Sequence, residues 1–377
     1  MDDFDYEDYI DNNTMDKDSI LVVNKPSEND HIEIDKMIKN KKINNDFNSN
    51  PMNIELSKDL IYDSYTNERL DNTFIVFKSI DNIFYLIYTN LDNSIIAYDL
   101  IDNKKMVEIK NSNYWSYITN LRYYFDSINK RDLLISISYD NSLKLWNINN
   151  WECLIKISYI NKVGYLYSAC FLNENDHLYI VTSNYCLDNN SEKIKVFDLM
   201  GNKIKEINNS YNDNTYFIDS YYDYKSSNNF ILTANKDYVA SYDYNNNTIY
   251  NNYKEKDNKD HNSIIINERN EIIELIESSE DGYIRIWDFH LGILLKKYKV
   301  GSSLYGLCLW NKDFLFIGAK DKTLKLLDLQ KGKVVKCLSD ENSSVISVKK
   351  IIHPEYGECL ISQGYGYNKV ILWVNME

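Results

Sequence analysis

Catalysis or metal binding needs nucleophiles, bases or ligands at defined spacings, and this chain offers few. Its five histidines (His31, His177, His261, His290, His353) include no HExxH pair, so no helix face is set up for zinc. Six cysteines (Cys153, Cys170, Cys186, Cys308, Cys337, Cys359) contain no CxxC pair and read as reduced thiols buried in strands. There is no P-loop, GxSxG or dinucleotide fingerprint, and Gly364-Tyr365-Gly366 lacks the third glycine and the strand-to-helix setting a phosphate cradle needs. Carboxylates are scattered and give no pair for general acid and base work. The expectation is a protein that is not an enzyme and has no cofactor, no metal and no small-molecule substrate.

The regularity lies instead in the elements. Seven times a short apolar strand ends in a bulky residue followed by Asp or its stand-in: Tyr98-Asp99, Trp146-Asn147, Phe197-Asp198, Tyr242-Asp243, Trp287-Asp288, Leu327-Asp328 and Trp373-Val374. Successive copies lie 48, 51, 45, 45, 40 and 46 residues apart, close to the period of four-stranded propeller blades. In four copies a second Asp stands six residues upstream, at Asp92, Asp140, Asp281 and Asp321. Between the two, apolar residues alternate as in Tyr283-Ile284-Arg285-Ile286-Trp287, and another apolar run precedes each upstream Asp. Two strands joined by a tight Asp turn make a hairpin, and a further strand on either side completes a blade.

With these motifs residues 55–377 resemble the WD-repeat family of β-propellers. The resemblance implies an all-β, seven-bladed β-propeller over residues 53–377. It also implies, in the fifth blade, a hydrogen-bonded tetrad of His261, Ser279, Asp281 and Trp287, in which the turn Asp accepts from the imidazole and the hydroxyl links imidazole to indole. The seventh copy ends four residues before the last residue, too soon to supply its own outer strand, so a stretch within residues 54–65 is expected to fill that place and clasp the ring. All eleven glycines fall at or after Gly164, so the first two blades must turn on Asp92-Asn93 and Asp140-Asn141, since Asn tolerates the left-handed conformation.

Charge narrows the partners. The net charge is −14, and residues 1–30 hold ten acids against Lys17 and Lys25. An acidic surface argues against nucleic acid and against an anionic membrane. Residues 1–52 read as a disordered acidic tail, with Phe4, Tyr6, Tyr9, Ile10 and the run Ile20–Val23 as its apolar features. Lys36, Lys39, Lys41 and Lys42 read as a solvated charge run more than as a nuclear address, and the acidic start lacks the pattern of a signal peptide. An intracellular, cytoplasmic protein is expected, with the nucleus an alternative.

The resemblance further implies a protein-interaction scaffold or adaptor with protein or peptide partners in a multiprotein complex. The alternatives are a substrate-receptor or regulatory subunit of a larger enzyme complex and, less favoured, a propeller enzyme or a phosphoinositide binder. The last relies in its family on adjacent arginines, and none of Arg69, Arg122, Arg131, Arg269 and Arg285 is adjacent to another. The partner-binding rim implied by the family is the face bearing the upstream Asp turns. Its expected residues are Tyr139, Lys236, Glu280 and Lys320, with Tyr185 in a longer third turn (184–193) and Tyr365 and Tyr367 in the seventh blade.

Overall fold

In the computed structural model the described residues are 50–375, apart from 67–73, 91, 111–116, 159, 161–164, 184–193, 208–214, 256–259, 270 and 340–342. They form seven four-stranded antiparallel sheets arranged as a seven-bladed β-propeller, and the one helical turn among them is a 3-10 turn at Pro51–Asn53. Blades 1 to 6 span 74–109, 118–157, 169–207, 215–253, 261–299 and 304–338, each with strands a to d in chain order from the inside outward. Blade 7 takes strands a to c from Val345–His353, Gly357–Gly364 and Gly366–Asn375, and its outermost strand from Ile54–Thr66. The expected disordered tail, 1–52, falls outside the described residues up to residue 49. Its last three residues do not fit that expectation: the Asn50 side chain accepts the Met52 N–H at 3.0 Å and caps the turn that leads into the clasping strand.

The repeat is explained residue by residue. The bulky residue of each copy is packed inward, fully or nearly buried in six of the seven copies, with Tyr98 half-buried. Immediately before it, in blades 1 to 6, a bulge interrupts the pairing of strands c and d, for example between Ile286 and Trp287. A bulge adds twist, which each blade needs to splay outward from the axis. The Asp that follows closes the c–d turn by accepting a backbone N–H: Asp99 from Ile101 at 2.9 Å, Asp288 from His290 at 3.0 Å, Asp328 from Gln330 at 2.9 Å. Val374 has no such turn to close, because the strand after it is supplied by the other end of the chain.

At the opposite end of the blades that have it, the upstream Asp closes the b–c turn. Asp92, Asp140 and Asp281 each accept the N–H two residues on, at 2.9 to 3.1 Å, the Asx-turn arrangement. The next residue is left-handed in every one of them, Asn93 (φ 63°), Asn141 (φ 59°) and Gly282 (φ 77°). At Gly282 glycine is also required by space, since a Cβ there would stand 2.1 Å from the Gly301 carbonyl oxygen.

Alternate residues of each strand feed the layers between blades. Seven apolar clusters result, one for each pair of neighbours, including Phe74, Leu86, Ile361 and Leu372 between blades 1 and 7. Each fully buried aliphatic or aromatic side chain contributes about 1.5–3 kcal/mol. A core divided in this way fixes the blades relative to one another, so loops at one end of the ring form a single rigid face.

Candidate functional site

The b–c turns and the d–a connections meet at one end of the ring. A recurring hydrogen bond ties them together: the residue before the turn Asp, or its seventh-blade counterpart, donates its N–H to the residue just before strand a of the same blade. The pairs are Tyr139 to Tyr117 (3.0 Å), Glu280 to Asp260 (2.9 Å), Lys320 to Ser303 (2.9 Å) and Tyr365 to Ser344 (2.8 Å). Four of the expected rim residues therefore share one face, held by backbone. Lys236, exposed in the b–c turn of blade 4, is on the same side of its sheet. Tyr185 lies outside the described residues, as does the whole 184–193 turn. Tyr367 pairs with Tyr65 through the backbone of the clasp, and its side chain is outside the described ones.

Along blades 2 to 4 the rim holds a group of tyrosines. The Tyr139 ring meets Tyr117, Tyr165 and Tyr167 edge to face, with centroids 6.4, 5.3 and 5.8 Å apart, and Tyr167 meets Tyr216 at 5.9 Å. Tyr165 is exposed, Tyr117, Tyr139 and Tyr167 are half-buried, and Tyr216 is buried. Edge-to-face packing adds about 0.5–1.5 kcal/mol per pair beyond burial. Rings locked in this way present flat apolar surface and hydroxyls with little entropy left to lose on binding. Sequence reasoning singled out Tyr139 and missed the others. The signal was the alternation in Tyr165-Leu166-Tyr167, where Leu166 is buried and the flanking rings turn the other way.

The buried polar network of blade 5 differs from the expected tetrad. The Trp287 indole N–H donates to Glu277 Oε1 at 3.3 Å, not to the Ser279 hydroxyl. The other Glu277 oxygen lies against His261 Nδ1, with both side chains wholly buried. Register gives the reason. Trp287 pairs with Leu275, so Glu277 is its diagonal neighbour on the same face, whereas Ser279 is two positions further along the strand. The same diagonal joins Trp146 to Ser136 at 2.9 Å and Trp373 to Ser362 at 2.8 Å. Blade 5 thus puts a carboxylate where blades 2 and 7 put a hydroxyl.

Asp281 keeps a hydrogen bond with the Ser279 side chain, but its main partner is Arg285. Arg285, buried to 1 % exposure, donates to Asp281 Oδ1 at 3.3 Å and again to Oδ2, and to Glu255 Oε2 at 2.5 Å, with Glu277 Oε1 at 3.7 Å. Burial by itself raises the Asp281 carboxyl. The bonds from Arg285 and from the Tyr283 amide outweigh it and hold the group below its ordinary range. A buried charge surrounded by three carboxylates is a structural knot, and it fixes the turn that carries Glu280 to the rim.

Protein-family models give no match to this chain, and neither do the curated proteins.

Proposed function

We propose that this chain is a WD-repeat-type propeller acting as a non-catalytic protein-interaction scaffold, with protein or peptide partners that dock on the b–c rim. The tyrosine group around Tyr139 carries the reading. Aromatic side chains pre-packed on a rigid face favour a partner with apolar or aromatic anchors. On the same rim, in blades 4, 5 and 6, Lys236, Glu280 and Lys320 suit further charges of both signs on a partner that spans the ring. The blade-by-blade Asp turns and the Trp-to-Ser diagonals of blades 2 and 7 support the WD-repeat assignment. A reducing compartment, the cytoplasm foremost, agrees with the thiols of Cys170, Cys308 and Cys359 buried inside the sheets. Among the described residues no helix is long and apolar enough to cross a membrane.

The test is affinity purification from the native cell with the full chain, its Tyr139→Ser/Tyr165→Ser variant and an Ile128→Asp variant at the opposite end of blade 2. The reading expects the main partner to be lost with the tyrosine pair and kept with Ile128→Asp, while both melt near the parent. Capture that survives the tyrosine changes and fails with Ile128→Asp would move the site to the other face.

A further inference from the structure

The outer corner of blade 5 exposes four aliphatic side chains in five residues: Leu291 (67 %), Ile293 (52 %), Leu294 (36 %) and Leu295 (37 %). Single exposed apolar residues are ordinary on any protein, but a contiguous group is a mark of an interface. It lies at the c–d turn, on the end of the ring away from the tyrosine rim, so it is independent of the function proposed above. The adjoining strand, Leu294–Lys299, is the outermost of its sheet, with one edge unpaired among the described residues.

Charge marks what would cover it. Leu294–Lys299 and the outermost strand of blade 6, Lys333–Leu338, carry Lys296, Lys297, Lys299, Lys333 and Lys336 and no acid. The outer strands of blades 1, 2 and 3 each include a glutamate. In a chain of net charge −14, blades 5 and 6 therefore make the basic sector of the outer wall.

The chain itself enters beside that sector. Lys336 Nζ donates to the Met52 carbonyl at 2.6 Å, and Ile54 packs with Trp310 and Leu338 of blade 6. The described chain thus begins, at Asn50, next to blade 6, one blade from the apolar corner. The sequence of residues 1–30 is complementary to it, with ten acids against two lysines, and the apolar run Ile20-Leu21-Val22-Val23 is preceded by Asp16, Lys17 and Asp18.

We propose that residues 16–23 dock in cis on the outer corner of blade 5, with Ile20–Val23 against Leu291, Ile293, Leu294 and Leu295 and the acids facing the lysines of blades 5 and 6. Reach permits it, since a coil as long as the stretch from Val23 to Asn50 has a root-mean-square span of about 30 Å. Tethering at that length gives an effective concentration in the millimolar range, enough to sustain a contact that would be weak between separate molecules. A second copy of the chain is the poorer occupant. A two-fold contact would set this lysine-rich sector against itself.

The experiment uses the full chain with Leu291 replaced by the photo-crosslinking residue p-benzoylphenylalanine, irradiated in dilute solution and mapped by peptide mass spectrometry. The proposal expects an intrachain crosslink falling in residues 16–23. It expects that crosslink to disappear in the Leu21→Asp/Val22→Asp variant with an unchanged melting curve, and no such product when Met200, 80 % exposed at the c–d turn of blade 3, carries the probe instead. Crosslinks between two chains, equal labelling from position 200, persistence in the double variant, or no crosslink to the segment at all would each overturn it.

Discussion

Removing the Glu277 carboxylate takes a partner at once from the Trp287 indole and from His261, and leaves Arg285 nearer to uncompensated. All four side chains are buried, where breaking a charged group out of its network costs about 3–5 kcal/mol. Glu277→Ala is therefore expected to lower unfolding free energy in urea by that order, and Ser279→Ala by about 1 kcal/mol or less. Equal losses would show that the indole depends on Ser279 after all. The difference between these residues was only half legible in the sequence. The types His, Ser, Asp and Trp were visible and drew attention to blade 5, but an Asp two residues before a strand has two possible uses, and the Asx turn uses it locally. Pairing register between strands b and c decides the matter, with Trp287 opposite Leu275, and a single sequence does not carry that register. Comparing copies would have helped: ten residues before Trp146 stands Ser136, and ten before Trp287 stands Glu277. A carboxylate at a position that holds a hydroxyl elsewhere is the signal that was there to be read.

Strands and turns were more legible than side-chain partners, because their pattern repeats and the partners do not. The bulky-Asp pairs located strand c of each blade, and the missing glycines of blades 1 and 2 placed Asn93 and Asn141 in left-handed turns. Turn chemistry has a measurable consequence in blade 5. Gly282→Ala would put a methyl group 2.1 Å from one carbonyl oxygen and 2.7 Å from another at a positive φ, whereas Gly357→Ala meets nothing within 4 Å and suffers only the φ of 69°. The second change is expected to cost about 1–2 kcal/mol, the left-handed penalty alone, and the first clearly more, as read from thermal melts. Comparable losses would mean that the d–a connection at Gly301 yields freely. The clasp is the element on which closure depends. Deleting residues 1–70 removes the outer strand of blade 7 together with buried Ile54 and Leu60, each worth about 2–5 kcal/mol, while deleting 1–45 keeps the cap at Asn50. At about 2–4 °C per kcal/mol, the longer deletion should lower Tm by on the order of 10 °C and the shorter one by little. Matching melts would show that the ring holds without its clasp.

For the molecule as a whole, two electrostatic effects pull in opposite directions as pH falls. Of the net −14, residues 1–30 carry −8, which leaves −6 for the remainder of the chain. Protonation relieves that repulsion and favours the compact state. Against it stand the turn carboxylates, Asp92, Asp126, Asp223, Asp243, Asp281, Asp321 and Asp328, and with them Glu255. Burial raises each, but the amide, hydroxyl, lysine or arginine donors around them bring every one below its ordinary value of 3.8, or 4.5 for Glu255. A carboxyl whose folded pKa is depressed contributes stability that is present above the unfolded value and is lost as pH drops through the folded one. Distance decides which effect wins. At 0.15 M salt charges more than about 8 Å apart are largely screened, which mutes the diffuse repulsion, while the turn bonds act at contact. Urea midpoints at that ionic strength are accordingly expected to stay level from about pH 7 to pH 5 and to fall steadily below pH 4, with the blades losing their turns at both ends of the ring. A midpoint that climbs as pH goes from 5 to 3 would show instead that long-range repulsion, not the Asp turns, sets the acid limit of this propeller.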